Sequence, residues 1–135
     1  MRRVICLFLF VLACAVPAFA QDPVKVDSKH YKVEFENASV RVLRIHYAAH
    51  EKSVMHYHPN AVAVFQTDGR VKFTLANGKS EEREFKAGQT MWNPAGRHNP
   101  ENVGDSDFEV ILVEMKARKR TTVKKPAANA TTNTQ

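Results

Sequence analysis

His56-Tyr57-His58 sets two imidazoles two residues apart. In an extended strand successive side chains alternate between faces, so both rings project from one side. Pro59 follows and biases His58 itself toward an extended backbone. Two neutral imidazoles side by side suit a first-row transition metal, with bonds of about 2.0–2.2 Å. His98 comes after Pro94-Ala95-Gly96-Arg97, a turn sequence able to aim a third ring at the pair. Carried forward without a bulge, the same parity reaches Asn60, Val62 and Val64, so the histidines are expected to share a face with core valines. An imidazole there must find a partner or lose solvation. That partner is a metal, or simply a hydrogen-bonding group of the core, because spaced histidine pairs also occur on ordinary strands. His30, His46 and His50 fall at no ligand spacing and read as surface or strand-end residues.

The segments that must position these rings have the period of strands. Residues 31–37 alternate, 40–47 are rich in β-branched and aromatic side chains, and 61–67 form an apolar run that closes at Asp68-Gly69. Residues 71–76 alternate again and close at Asn77-Gly78, and 80–86 lead to Ala87-Gly88. Asp-Gly and Asn-Gly suit type I′ hairpins, so three successive strands are expected to form a meander. Residues 108–115 complete the set as a largely buried strand. Many short strands at even spacing predict an all-β fold, a small barrel or jelly roll. No Ser-His-Asp ordering, phosphate-cradling glycine loop or nucleotide fingerprint occurs.

The two ends read differently. Arg2 and Arg3 precede an apolar run over residues 4–15, Pro17 breaks it, and Ala18-Phe19-Ala20 offers small residues for cleavage before Gln21. This is the pattern of a cleaved signal peptide over residues 1–20, too short to span a bilayer as a mature helix. The expected location is therefore periplasmic or secreted. Val11-Leu12-Ala13-Cys14 resembles a loose lipobox, which makes a lipoprotein anchored at Cys14 the alternative. Both cysteines lie in this leader, which removes disulfide and thiol chemistry from the folded part. Of the 20 Lys and Arg, two fall in the leader and six between Lys116 and Lys125. The twelve that remain are outnumbered by 14 acidic residues, all between Asp22 and Glu114. Residues 117–135 read as a disordered basic and polar tail, leaving 21–116 as one folded domain. With export and no aromatic residues among the tail's cations, nucleic acid is not an expected partner.

The histidine segment also resembles the first motif of the cupins, His-x-His followed after three residues by Glu and after six more by Gly. Here it reads His56-Tyr57-His58, then Val62 in place of Glu, then Gly69. The second cupin motif is similar to Gly88, Pro94-Ala95-Gly96, His98 and Asn102, with one residue fewer between Gly96 and His98. The resemblance runs from about Val40 to Lys116 and implies a cupin-type jelly-roll β-barrel. It implies His56, His58 and His98 as ligands of a divalent transition metal, Fe, Zn, Mn or Ni, with no protein carboxylate. Some cupin oxygenases hold iron on three histidines, so a dioxygenase acting on a small molecule is one implied function. A non-enzymatic barrel holding a metal or small ligand is a second, and a metal-free structural barrel a third. Gln66, Trp92 and Arg97 are the candidate substrate contacts, with Trp92 or Met91 expected to line the cavity. The strand over residues 31–37, unpaired on one side, is the natural edge for a homodimer.

Overall fold

The computed structural model describes residues 21–117. The leader and nearly all of the basic tail fall outside the described residues. Within them the chain makes one helical turn, α1 (Pro23–Val26), and nine strands. These are β1 (Tyr31–Glu36), β2 (Val40–Tyr47), β3 (His56–His58), β4 (Ala61–Phe65), β5 (Gly69–Leu75), β6 (Ser80–Phe85), β7 (Thr90–Asn93), β8 (Gly96–Asn102) and β9 (Phe108–Met115). They form a five-stranded sheet in the order β1-β2-β9-β4-β7 and a four-stranded sheet in the order β3-β8-β5-β6. All pairings are antiparallel. Among the described residues no helix is long and apolar enough to cross a membrane.

The core lies between the two sheets, and the alternation of the inner strands decides what enters it, while β1 and β6 each bury one end residue. On β9, Phe108, Val110 and Leu112 point inward while the residues between them are half-buried. Leu43, Ile45 and Tyr47 do the same from β2, and Val71 and Phe85 from the opposite sheet. Phe65 stacks on Phe85 with ring centroids 4.1 Å apart. The expected jelly roll is thus formed by the period-two pattern.

Two expectations fail in detail. β4 and β5 do not pair: they lie in different sheets, so Asp68-Gly69 is a crossover and the three-strand meander does not exist. Gly69 has a different reason to be glycine, since a Cβ there would lie 2.1 Å from Cδ2 of Phe108. Asn77-Gly78 does close a hairpin between β5 and β6, but only Gly78 has positive φ, at 82°. Gly78 N–H donates to Leu75 O and Leu75 N–H to Lys79 O. That is a longer loop with one left-handed residue, not a type I′ turn.

The parity of the histidines also breaks. Between His58 and Ala61 the chain passes from one sheet to the other through Pro59-Asn60, which resets the phase. Ala61, Ala63 and Phe65 therefore face the core, and Val62 and Val64 lie half-buried on the opposite side of β4.

Candidate metal centre

His98 lies in β8, not in a turn, and the antiparallel register of β3 and β8 sets it directly opposite His56. His58 follows on the same face of β3, and the strand's burial alternates accordingly. The ring centroids of His56 are 4.8 Å from those of His58 and 5.0 Å from those of His98. One ring nitrogen of each of the three histidines lies within 4.8 Å of the other two. His56 and His58 are fully buried, and His98 stands half-buried at the mouth of the barrel.

Hydrogen bonds fix which nitrogens are free. Nδ1 of His56 lies 2.8 Å from Val54 O, and Nδ1 of His58 lies 2.6 Å from Oε1 of Glu114. A carbonyl and a carboxylate only accept, so each Nδ1 carries a proton, and in the neutral ring each Nε2 then presents a lone pair. These two Nε2 atoms are 3.0 Å apart. Two lone pairs face each other at that distance unless something positive lies between them. Two nitrogens so spaced subtend about 90° at an ion bonded to both at about 2.1 Å. The donor set therefore fits a divalent transition metal.

Burial and the neighbouring rings push His56 and His98 toward the neutral form that a metal requires. Desolvation, then the charge of His58, lowers His56 to about 4. The same causes, with His56 added, lower His98 to about 3. Glu114 is 2% exposed, and despite desolvation its pKa is held down by hydrogen bonds from His58 and Arg41. Arg41 Nε donates to Glu114 at 2.6 Å, and its Nη1 donates to Asp22 at 2.6 Å. Asp22, Arg41, Glu114 and His58 thus form one hydrogen-bonded chain behind the centre, of the kind that orients metal-binding imidazoles.

Two tyrosines close the other side. Tyr31 OH is 3.0 Å from Nε2 of His56 and 2.5 Å from Tyr47 OH, and both phenols are 2% exposed. Burial raises Tyr31 well above the usual phenol range, and Tyr47 is raised too, so both remain protonated. With His58, His98, Ala63, Phe73 and Met91 they line a cavity of about 60 Å³. A wider groove of about 310 Å³, lined by His98, Arg97, Arg83 and Pro94 among others, adjoins it at the mouth.

The remaining candidates are placed as follows. Arg97 lines the outer groove and pairs across the sheet with Tyr57. Met91, not Trp92, lines the cavity, and Trp92 is 52% exposed. Gln66 is exposed, donates to Val64 O and does not line the cavity. The β4 residue facing the cavity is Ala63 rather than Val62, because of the phase change at Pro59-Asn60. Asn102 of the second motif is structural: its Nδ2 donates to Ser106 O and Ala48 O, and its Oδ1 accepts from Gly104 N–H. His30 is a correction. It is 6% exposed, bonded to Asp27 and Glu51, and stacked on Tyr47 at 4.4 Å. Glu51 and Tyr47 come from distant segments, which spacing alone does not reveal. His46 and His50 are exposed, as expected.

Sequence spacing did not mark Glu114 or Tyr31. Glu114 carries a usable signal: it continues the inward parity of Phe108, Val110 and Leu112, where a carboxylate needs a reason to be. Tyr31 carries none, since its partners are 16 and 25 residues away.

Comparison with known proteins agrees with this geometry. The family model described as "Cupin domain" matches residues 43–114. A cupin domain from Bordetella pertussis Tohama I is similar, with 26% identity and a TM-score of 0.60, over 64% of this chain and 92% of that one. A cupin 2 conserved barrel domain protein from Salinispora arenicola shares 22% identity over 68% of this chain and 80% of its own, with a TM-score of 0.52. An uncharacterised conserved protein with a double-stranded β-helix domain from Klebsiella pneumoniae has 22% identity and a TM-score of 0.52, over 63% of this chain and 74% of its own. No curated protein matches the chain. A match across more than half of the sequence, on a barrel whose own register draws the histidines together, makes the chain a member of the cupin domain family.

Proposed function

We propose that this barrel binds a divalent transition metal through His56, His58 and His98 and uses it to transform a small molecule, with oxidation by dioxygen the reaction favoured. One observation carries the reading: the Nε2 atoms of His56 and His58, each ring held at Nδ1 from behind, lie 3.0 Å apart. A cation there turns a repulsion into two bonds. Three neutral ligands leave the ion its full charge and open coordination positions, as catalytic sites require. When bound, the metal would supply a Lewis-acid or redox centre for a small molecule in the cavity.

The chain's own groups do the rest. Glu114 holds the His58 proton on Nδ1 and orients the ring. The cavity, with its apolar Phe73 and Met91 walls, excludes bulk water and limits the reacting part of a substrate to a few heavy atoms. Arg97 in the outer groove is the residue proposed to meet an anionic substrate group, while Trp92 and Gln66 line neither the cavity nor the groove and are given no contact. The leader pattern supports an exported protein, and the β1 edge, where Val33 and Phe35 are exposed, supports pairing with a second copy.

The test is metal quantification on protein purified from its exported compartment, followed by oxygen uptake by the iron-loaded form with small thiols, diketones and phenols. Near-stoichiometric metal, lost in His98→Ala, with substrate-dependent oxygen uptake is the expected result. Bound metal with no uptake selects metal holding without turnover. No metal, and stability indifferent to chelator, overturns the reading in favour of a structural barrel.

A further inference from the structure

The Tyr31 hydroxyl occupies a position that the metal-binding reading leaves unexplained. It lies 3.0 Å from Nε2 of His56, the atom that reading gives to the metal. Without an ion, Tyr31 O–H donates to that lone pair, and Tyr47 O–H, 2.5 Å away, donates to the Tyr31 oxygen. A metal on Nε2 consumes the lone pair. The buried Tyr31 proton then loses that acceptor. It can turn to the Tyr47 oxygen only if the Tyr47 proton gives up its own bond to Tyr31. One buried hydroxyl of the pair is thus left to seek a new partner, and an unmade bond there is costly. Both phenols line the same cavity as His58 and His98, so the proton turns toward whatever shares that space.

We infer that Tyr31 is the hydrogen-bond donor to an anionic ligand or substrate atom held at an open position of the metal, and that metal binding releases it for that role. Tyr47 sustains the donor, because a hydroxyl that accepts one hydrogen bond donates a stronger one. The inference rests on the proposed metal site and adds a ligand class: small anions and molecules with an anionic oxygen, nitrogen or sulfur. Such a donor stabilises charge that builds on the bound atom. Tyr31 comes from β1, outside both histidine motifs. Its ring also packs against His56 and His58, with centroids 4.8 and 5.7 Å away, which holds the hydroxyl in place.

Azide binding to the cobalt-loaded protein, followed through the visible absorption of cobalt, tests this without reference to turnover. Tyr31→Phe removes the hydroxyl and keeps the ring. Its cobalt affinity should equal or exceed that of the unmodified protein, since the competitor for Nε2 is gone, while its azide affinity should fall about tenfold. Tyr47→Phe should weaken azide by a smaller factor, about threefold, and it carries the test if Tyr31→Phe does not fold. Cobalt uptake with azide affinity unchanged in the folded variants overturns the role of Tyr31 and leaves the metal site standing. No cobalt uptake by the unmodified protein overturns both.

Discussion

Glu114 and His58 come from strands in opposite sheets, yet Oε1 of the carboxylate lies 2.6 Å from Nδ1 of the imidazole and both side chains are 2% exposed. The contact ties the two layers of the barrel together at the site. Glu114→Ala leaves Arg41 half-paired in the interior and frees the His58 ring. Destabilisation by about 3–5 kcal/mol and a 10- to 100-fold loss of metal affinity are expected. Glu114→Gln keeps an acceptor for Nδ1–H and should lose less of each. Urea unfolding and competitive metal titration measure the two effects separately.

The depressed histidines make the metal-free protein sensitive to mild acid. His56 and His98 titrate at about 4 and about 3 in the folded chain, against about 6.5 when unfolded. Between these values the unfolded chain takes up protons that the folded chain refuses. Stability is therefore complete above pH 6.5 and drains away as the pH falls toward 4. Glu114, whose carboxyl is also depressed, extends the loss in the same direction at lower pH. Thermal melts from pH 7.5 to pH 4 should show a falling midpoint, flatter in His98→Phe. A midpoint level across this range would contradict the assignment.

Ala63 and Val62 are adjacent but face opposite sides of β4. Ala63→Asp puts a carboxylate into the cavity beside His58 and His98. Without metal that buried, unpaired group should cost several kcal/mol, and excess zinc should return most of it. Val62→Glu places its charge on the other face and should change metal affinity less than about twofold, within the usual range of a remote surface change. Melting temperatures with and without zinc distinguish the two positions.

Gly69 starts β5 against the ring of Phe108. Gly69→Ala should destabilise by about 1–3 kcal/mol through overpacking. A double-mutant cycle with Phe108→Leu should show coupling of at least about 0.5 kcal/mol, because the smaller side chain relieves the clash. Additive effects would place the cause of the glycine elsewhere.

Alternation made the all-β fold legible, because Phe108–Met115 and Ala61–Phe65 bury side chains at a period of two, whereas the alternating sequence of Tyr31–Glu36 buries only Tyr31. Partnership between strands was less legible. Asp68-Gly69 has the composition of a hairpin turn, but a glycine demanded by close packing and one demanded by positive φ look identical in a sequence. His56 and His58 could be paired from local spacing, since both lie on one short strand. His98 meets them through register between β3 and β8, 42 positions along the chain from His56. Motif resemblance reached it, and periodicity did not. Parity failed at Pro59-Asn60 because the change of sheet there is a tertiary event with no local marker beyond the proline. The groups behind the imidazoles were least visible, since Tyr31 and Arg41 act on the site through contacts that only the closed barrel creates.

Asp22 ends the row of hydrogen bonds that begins at His58 and passes through Glu114 and Arg41. Its neighbour Gln21 accepts a hydrogen bond from the N–H of Tyr57, between the two histidines of β3. A recombinant protein begun at residue 24 would thus lose an anchor of the centre while keeping all three imidazoles. Purification tags belong at the other terminus, and shortened versions will report metal affinities weaker than the intact domain's.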